Sequence, residues 1–411
     1  MKKFVLAALA LATLATLGAC GSNGKSDKSE TTITYMNYTS SPNYTKQLDQ
    51  MVKTFEKENP KIKVEVQTVP YDTYFTKIQT LLAADKAPDT FEMNYENFVS
   101  YASKNVLLDL SDYVSKDETL DMGSVNEKAF DASKYDGKQY GMTESFSNVV
   151  TYYNKDLFDK AGVAYPTSDW TWADEVGAAK KLTNSKENIW GTYSPVSMNE
   201  FYKVAAQNDG KIYDGKTLTI NSEANIEALT HMTDLVTKDK VSPSPDQMSG
   251  QTSEDLFLNG QLAMVHTGIW DFGTFADASF KWDIAVEAGN KEKATHFFAD
   301  SIVVSKKTKN ADAAYKWAKF MSTSEAAAKI RIDASWSLPI INTKDVLSKY
   351  LEATPPANRK AVFESLDSLV LPPVSNNWQK LSEATDKEFQ KVLLDQVTPK
   401  EALDTLQKEF K

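Results

Sequence analysis

The sequence contains a single cysteine, Cys20, so intramolecular disulfides and cysteine-based metal sites are excluded. Arginine is almost as rare, because Arg331 and Arg359 are the only two arginines among 46 basic residues. Arginine is the side chain that most often binds carboxylate or phosphate groups through two hydrogen bonds. An obligatorily anionic ligand, such as an amino acid, a phosphate ester or a sialic acid, is therefore disfavoured. A neutral ligand is favoured.

Long apolar runs and a basic surface are also missing. The uncharged run from Phe4 to Leu17 has 14 residues, whereas about 20 are needed to span a bilayer as a helix. The formal net charge is −10, and it becomes −12 without Lys2 and Lys3. Because neutralising phosphates requires a basic face, this charge argues against a nucleic-acid partner. We therefore expect a soluble body that does not bind nucleic acid.

The amino-terminal residues have the pattern of an export signal. Lys2 and Lys3 precede the apolar run, and the small residues Gly18 and Ala19 close it directly before Cys20. The segment Leu-Gly-Ala-Cys resembles a bacterial lipoprotein signal, in which a diacylglyceryl group alkylates the cysteine thiol. The alternative is an ordinary signal peptide that leaves Cys20 as a free thiol. We expect a lipoprotein signal peptide at 1–19 and a flexible, polar tether at 20–30.

Strands and helices are predicted to alternate after the tether. The first strands are predicted at 32–38, 62–69 and 89–93, with helices at 44–55, 71–85 and from residue 97. This order predicts an α/β domain with a mostly parallel sheet. Further strands are predicted at 138–143, 148–153, 189–193, 262–266, 282–286 and 301–304, and the last 70 residues are predicted to be helical. The chain from Cys20 to Lys411 has 392 residues, which is sufficient for two domains.

Catalytic and nucleotide-binding motifs are weakly supported. The segment from Gly210 to Thr217 matches the phosphate-binding pattern G-x-x-x-x-G-K-[ST]. That loop requires a strand before it and a helix after it, whereas here a helix precedes and a strand follows. His231, His266 and His296 are the only histidines, and none lies in a recognisable catalytic motif. We expect no catalytic residue, no metal and no cofactor.

Candidate binding residues follow the predicted strands, because ligands of open α/β sheets bind at the carboxyl ends of strands. Hydroxyl, amide and carboxylate groups can bind a polyol, and aromatic rings can pack against a sugar ring. For the polar residues the alternative role is helix capping, and for the phenylalanines, including Phe272 and Phe298, it is core packing. The candidates are Ser40, Asn43, Asn94, Tyr95, Glu96, Asn97, Glu144, Phe146, Ser147, Asn148, Trp270, Asp271, Phe297, Asp300 and Trp336.

Four segments, together with the lipoprotein signal and the tether, carry a family resemblance. They are N-P-K-I-K-V-E-V at 59–66, A-P-D-T-F-E-M-N at 87–94, Y-Y-N-K-D-L-F-D-K-A-G-V at 152–163 and N-G-Q-L-A-M-V at 259–265. The chain resembles the extracellular solute-binding proteins of family 1, which are lipoprotein sugar receptors of ATP-driven importers related to the maltose-binding protein. The resemblance covers nearly the whole mature chain, and it identifies the family but not the ligand.

The resemblance implies an α/β fold of the type II periplasmic-binding-protein class, with two lobes, three hinge crossings and a ligand cleft between the lobes. Carried onto this sequence, lobe one comprises 31–141 and 294–338, and lobe two comprises 142–293 and 339–411. The three crossings fall near 141–148, 287–293 and 336–341.

The same resemblance assigns a place to the candidates. The loop 94–97 faces the pocket from lobe one, 145–148 and 270–271 face it from lobe two, and 297–300 and Trp336 lie near the hinge. Family members often carry an aspartate where residues 144–148 stand here, so Glu144 is the substitute that we expect to serve in its place.

We therefore expect a monomeric, non-enzymatic receptor that captures a neutral mono- or oligosaccharide and delivers it to the permease subunits of an ABC importer. It would be anchored through Cys20 on the extracellular face of the bacterial cytoplasmic membrane. Two alternatives remain open at this point: a receptor for a non-sugar solute such as glycerol phosphate or a peptide, and a surface glycoside hydrolase. A sensor subunit cannot be distinguished from a transport receptor by sequence.

Overall fold

The computed structural model describes residues 30–38, 42–214, 217–334, 337–341, 343–373, 375 and 377–411. The signal, most of the tether with Cys20, and the candidates Ser40 and Trp336 lie outside these residues, as does the side chain of Asn43.

The strands, in chain order, are β1 (Thr31–Asn37), β2 (Ile62–Thr68), β3 (Thr90–Asn94), β4 (Lys134–Tyr135), β5 (Lys138–Gln139), β6 (Gly141–Ser147), β7 (Val149–Asn154), β8 (Tyr213–Asp214), β9 (Thr217–Leu218), β10 (Met264–Gly268), β11 (Trp282–Ala285), β12 (Thr295–His296), β13 (Phe298–Val304), β14 (Leu338–Pro339) and β15 (Leu369–Val370).

The α-helices are α1 (Pro42–Glu58), α2 (Tyr71–Ala83), α3 (Tyr95–Ser103), α4 (Ser111–Lys116), α5 (Glu127–Asp131), α6 (Lys155–Ala161), α7 (Trp172–Leu182), α8 (Met198–Gln207), α9 (Glu223–Thr237), α10 (Pro245–Met248), α11 (Ser253–Leu258), α12 (Phe272–Phe275), α13 (Ala311–Thr323), α14 (Glu325–Asp333), α15 (Lys344–Glu352), α16 (Lys360–Ser365), α17 (Trp378–Leu393) and α18 (Pro399–Glu409). Short 3-10 helices lie at Met122–Ser124, Ile269–Asp271 and Leu366–Ser368.

Two sheets organise the chain. A six-stranded sheet has the order β14-β6-β13-β3-β1-β2, and a three-stranded sheet has the order β10-β7-β11. We call the six-stranded sheet, with the helices packed on it, the first lobe. The three-stranded sheet, with its helices, is the second lobe. Strand β1 pairs in parallel with β2 and β3, whereas β13 is antiparallel to both β3 and β6. The prediction of a mostly parallel sheet is therefore corrected to a mixed sheet, because strands from later in the chain return to it in the opposite direction.

The chain passes between the two sheets three times. Asn148 is the single residue between β6 of the large sheet and β7 of the small sheet, the second passage lies between β11 and β13, and the third follows β14. The resemblance places the first crossing near 141–148, a range that includes Asn148, and it assigns 142–147 to the second lobe, whereas in the structure this segment pairs with β13 in the large sheet. The side-chain amide of Asn148 donates to the carbonyl of Val362 at 2.9 Å, which ties this passage to helix α16.

Apolar faces of the helices form the core of each lobe. In the first lobe, Tyr44, Leu48, Met51 and Phe55 of α1 are buried at helical spacing, and the ring of Phe55 lies 5.1 Å from that of Trp317. In the second lobe, the buried residues of α17 form one stripe at helical spacing: Trp378, Leu381, Thr385, Phe389 and Val392. This spacing is typical of helices that pack one face against a core.

The predicted strand at 189–193 is wrong, because this segment makes only single bridges, such as the one between Trp190 and Leu262. Close packing accounts for the interruption. A Cβ atom at Gly191 would lie 2.2 Å from the carbonyl oxygen of Ala179, so the segment runs against the end of α7 where only glycine fits.

Helix α8 precedes the segment 210–217 and strand β9 follows it, which is the reverse of the order that a phosphate-binding loop requires. Strands β8 and β9 pair antiparallel. The sequence Tyr-Asp-Gly-Lys occurs at 213–216 and also at 135–138. The segment at 135–138 joins two antiparallel strands, and Asp136 and Gly137 have positive φ angles of 49° and 74°. The segment 135–138 is therefore a hairpin connection, as its turn residues Asp136 and Gly137 predict.

The described residues contain neither a membrane-spanning helix nor a cluster of metal ligands. None of their helices combines the length and apolar character that crossing a membrane requires. Within the same part of the chain, no group of three or more histidine, cysteine, aspartate or glutamate side chains is placed to hold a metal ion.

Candidate functional site

A cavity of about 450 Å³ lies between the two lobes. Both lobes line it, so a molecule bound there would touch both. The first lobe contributes Tyr38, Tyr71, Asn94, Glu96, Ser147, Phe298, Asp300 and Ser337, and the second lobe contributes Asn199, Trp270, Asp271 and Thr274.

Two tyrosines and their polar partners form the wall of the first lobe. Tyr38 follows β1, and its hydroxyl donates a hydrogen bond to the carboxylate of Asp300 in β13. Tyr71 begins α2, and its ring lies 5.3 Å from that of Tyr38 in an edge-to-face arrangement. The side-chain amide of Asn94 donates to the Tyr71 hydroxyl at 3.1 Å. These contacts hold the Tyr71 ring at the cavity, where 48% of the residue remains exposed.

Asn94 has two roles at once. Its side-chain oxygen accepts hydrogen bonds from the backbone N–H and the side-chain amide of Asn97, at 3.4 and 2.9 Å, and so caps helix α3. Its amide group meanwhile faces Tyr71 and the cavity. The capping and binding roles considered from the sequence are therefore compatible for this residue.

Trp270 is the most exposed aromatic side chain on the wall of the second lobe. It lies in the 3-10 helix after β10, 38% of it is exposed, and its ring contacts that of Phe298 of the first lobe, with 5.7 Å between the ring centroids. A Cβ atom at Gly268 would lie 2.0 Å from the Trp270 ring. The glycine therefore makes room for the tryptophan to face the cavity. Asp271, the next residue, accepts a hydrogen bond from the Thr267 hydroxyl at 2.7 Å.

Three carboxyl groups give the cavity its electrostatic character. Burial raises the pKa of Glu96 to about 8, and it raises the pKa values of Asp271 and Asp300 to about 7. No lysine, arginine or histidine is among the described residues that line the cavity. Such a site can donate and accept hydrogen bonds, but it offers no positive charge to a phosphate or carboxylate ligand.

Glu144 belongs to a buried network beneath the cavity and does not line it. Its Oε2 atom accepts a hydrogen bond from Arg331 Nη2 at 2.7 Å, and both side chains are completely buried. Glu92 lies nearby, and its carboxyl Oε2 atom accepts a hydrogen bond from the backbone N–H of Tyr38 at 3.0 Å. Burial raises the pKa values of Glu92 and Glu144, and the Arg331 charge opposes that shift. The expectation that Glu144 contacts the ligand is therefore corrected: it pairs with a buried arginine and supports the strand that carries Asp300.

The structure brings half of the described candidates together at the cavity. These are Asn94, Glu96, Ser147, Trp270, Asp271 and Asp300. Phe297 does not line the cavity, because its ring packs between those of Phe146 and Tyr95, at 6.1 and 6.4 Å. Asn97 hydrogen-bonds with Asn94, and Asn148 bonds to Val362 at the first passage between the lobes.

Five lining residues were not predicted from the sequence: Tyr38, Tyr71, Asn199, Thr274 and Ser337. Tyr38 follows β1 directly and Tyr71 follows β2 by three residues, so the strand-end rule applied to aromatic residues would have found both. The other three follow no predicted strand. Phe298, for which core packing was the alternative, faces the cavity.

The histidines lie elsewhere, in the second lobe. His266 bonds to Glu175 at 2.8 Å and to Glu287 at 3.0 Å, and the ring of His231 stacks on Trp172 at 4.0 Å. None of the three lines the cavity. They stabilise the interior of the lobe and are not placed to act on a bound molecule.

A groove of about 740 Å³ on the first lobe alone is larger but less suited to binding. Several of its polar groups are already paired: the hydroxyls of Tyr113 and Tyr315 donate to Asp312 and Asp117 at 3.0 Å, and Lys319 pairs with Asp117 at 2.6 Å. A ligand would have to displace these bonds. We therefore place the candidate site in the cavity between the lobes.

Comparison with known proteins gives consistent matches. Residues 39–328 match the model of the bacterial extracellular solute-binding protein family. An ABC substrate-binding protein from Listeria monocytogenes, solved in complex with cycloalternan, is 59% identical and superposes with a TM-score of 0.90 over 92% of this chain and 98% of that one. Maltose-bound MalE3 of T. maritima is 20% identical, with a TM-score of 0.80 over 92% of this chain and 98% of its own. The arabinooligosaccharide-binding protein of Bacillus subtilis is 27% identical over 88% of both chains.

Proposed function

We propose that this chain, which belongs to the family of bacterial extracellular solute-binding proteins, captures an oligosaccharide and delivers it to the permease of an ABC importer. Its fold is the two-lobe fold of the type II periplasmic binding proteins. The observation that carries the proposal is the cavity between the lobes, which combines two exposed aromatic rings with hydroxyl, amide and carboxyl groups.

The lining suits a neutral sugar. Tyr71 from the first lobe and Trp270 from the second present flat apolar faces, against which the C–H face of a pyranose can pack. The side-chain amides of Asn94 and Asn199 can donate hydrogen bonds to sugar hydroxyls and accept hydrogen bonds from them. An anionic sugar would have to enter a cavity that has acidic groups and no basic side chain among its described lining residues.

We propose cycloalternan as the first ligand to test. The relative that was solved with this molecule shares 59% of its residues with this chain and aligns with nearly all of it. The volume of about 450 Å³ falls within the usual range for small-molecule sites, which is roughly 300–1,000 Å³.

Lobe closure is the proposed mechanism. A bound sugar that touches Tyr71 and Trp270 together stabilises the closed arrangement by its differential affinity for the two states. No bond is made or broken. We further propose that the protein acts outside the cytoplasm as a monomer, tethered to the membrane by the lipid on Cys20, which lies outside the described residues.

A thermal-shift panel tests the proposal. We expect cycloalternan or another neutral oligosaccharide of the panel to raise Tm, because a ligand at 100 times its Kd stabilises the folded state by about 2.7 kcal/mol. Glycerol phosphate and short peptides serve as matched non-sugar ligands. Stabilisation by these, with no response to any sugar, would favour a different solute, and release of shorter products from the oligosaccharide would indicate a hydrolase.

A further inference from the structure

Glu96 is the acidic side chain in the cavity whose environment is hardest to reconcile with a negative charge. It is the second residue of helix α3, only 5% of it is exposed, and it lines the cavity. Its Oε2 atom is buried and accepts no hydrogen bond from any described residue. A buried carboxylate normally requires a cation or several donors around it.

The groups that face Glu96 do not supply a positive charge. Asp300 of β13 adds a second acid, and the phenols of Tyr71 and Tyr202 lie close enough to interact with the Glu96 carboxyl. Tyr95, its neighbour in α3, is a further neutral group. Burial and the Glu96 charge raise the pKa of its phenol.

The elements packed on α3 place no lysine or arginine among the described residues that line the cavity. Strand β4 carries Lys134, which pairs with Asp131 at 2.5 Å, and strand β3 carries the acid Glu92. Helix α17 contacts α3 from the second lobe and carries three lysines: Lys380 and Lys387 are exposed to solvent, and Lys391 pairs with Glu388 at 2.6 Å.

We propose that Glu96 enters the sugar complex as a neutral carboxylic acid and donates a hydrogen bond to the oligosaccharide, so that capture takes up a proton when the free protein is ionised. The inference rests on the proposed function and assigns a donor role to one residue of that site. The proton that the donor carries comes from water, and no covalent bond to the sugar is formed.

The direction of the pH dependence follows from linkage. Burial raises the pKa of Glu96 to about 8 in the free protein, and the nearby Asp300 charge contributes to that shift. Below that pH the acid is already protonated and its contribution to affinity is constant. Above it, each added pH unit costs up to about tenfold in affinity, because the proton must first be bound.

Glu96→Gln distinguishes a donor from an acceptor. The glutamine is neutral at every pH and keeps an N–H donor at the position of the acid. At pH 9 we expect the variant to bind cycloalternan about tenfold more tightly than the wild-type protein, since roughly nine-tenths of the wild-type Glu96 is then ionised. If Glu96 instead acted as a charged acceptor, the variant would bind more weakly than wild type at pH 9.

The matched control is Glu325→Gln. Glu325 is also a first-turn glutamate of a nine-residue helix, but 64% of its side chain is exposed and it pairs with Lys329. We expect this variant to follow the wild-type pH profile. A shift of its profile equal to that of Glu96→Gln would overturn the inference.

Calorimetry provides a second measurement that does not depend on how the variant folds. The wild-type protein is titrated with cycloalternan at pH 9 in two buffers of different ionisation enthalpy, and the difference in heat gives the protons taken up. We expect uptake approaching about one proton per sugar. Binding without proton uptake and with a pH-independent affinity would overturn the inference and leave the proposed function intact, whereas no binding at pH 7 would contradict both.

Discussion

Trp270 is the residue at which binding and stability are best separated. More than a third of it is exposed at the cavity, whereas Trp282 is buried in the core against Tyr152, 5.5 Å between ring centroids. The two tryptophans therefore differ in environment within the same lobe.

We expect Trp270→Ala to weaken sugar binding by more than about 1 kcal/mol, the usual effect of losing an aromatic anchor, with little change in Tm. Titration calorimetry with cycloalternan and differential scanning calorimetry measure the two quantities. Trp282→Ala is the control and is expected to lower stability by about 3–5 kcal/mol. A large loss of Tm in Trp270→Ala with intact binding would assign Trp270 to the core instead.

Arg331 shows how a single buried charge supports the cavity from below. Its partner Glu144 is completely buried. The positive charge of Arg331 also lowers the pKa values of Glu92 and Asp300, against the larger increase that burial causes. Removing the arginine leaves acids in the interior without their cation, which is one of the most costly changes in a folded protein.

Arg331→Met is therefore expected to lower the free energy of unfolding by about 3–5 kcal/mol, measured by urea denaturation at pH 7. Lys329→Met on the same helix is the control. Lys329 forms an exposed pair with Glu325, and such pairs contribute less than about 1 kcal/mol. Equal effects of the two substitutions would show that the buried pair is not important for stability.

At this scale the sequence predicts residue type and position along the chain, but not orientation. Asn94 and Glu96 follow β3 and do line the cavity, as the strand-end rule predicts. The buried role of Glu144 does not follow from the strand-end rule, because its ion-pair partner Arg331 lies 187 residues away in the sequence. Phe297 and Phe298 are neighbours that face different environments: Phe297 lies between β12 and β13 and packs against Phe146 and Tyr95, whereas Phe298 begins β13 and lines the cavity.

Among the secondary-structure elements, the helices were predicted better than the sheets. The helices predicted at 44–55 and 71–85 are found as α1 and α2, and α6 begins after the Asn154 cap and ends at Gly162, which has a φ of 63°. These signals are local, since caps and 3.6-residue periodicity depend on adjacent residues. The mixed order of the large sheet depends instead on strands contributed from distant parts of the chain, which no local pattern reveals.

The capping box of α18 is a test of these local signals. The Thr398 side chain accepts the backbone N–H of Glu401, and the Glu401 carboxylate accepts the backbone N–H of Thr398 at 2.8 Å. We expect Thr398→Ala to lower the free energy of unfolding by about 1 kcal/mol, measured by urea denaturation.

Thr405→Ala is the matched control, because Thr405 is exposed in the interior of the same helix. Alanine has the higher helix propensity, so this variant is expected to be neutral or slightly stabilising. A loss of stability at position 405 equal to that at 398 would argue against the cap.

For the whole molecule, the important contact is one that joins the lobes. Gln79 of α2 in the first lobe donates from Nε2 to Oε1 of Gln379 in α17 of the second lobe at 2.7 Å, although the two residues are 300 positions apart. Gln79 is exposed and Gln379 is half-buried, so the bond lies near the surface and reports on how the lobes approach each other. The resemblance predicts lobes that close, but no local sequence pattern identifies the residues that meet.

Because the body has no cysteine, this contact can be tested by cross-linking. In a Cys20→Ser background, Gln79→Cys and Gln379→Cys are expected to be joined by a short bismaleimide faster when cycloalternan is present, since the sugar favours the state in which the lobes touch. The linked protein should release bound sugar several-fold more slowly than the unlinked protein. Lys160→Cys and Glu187→Cys are the control, because this exposed pair lies within the second lobe at 3.0 Å and should react at the same rate with and without sugar. Equal rates for the pair that spans the lobes would mean that sugar binding does not change their separation, and the proposed closure would be wrong.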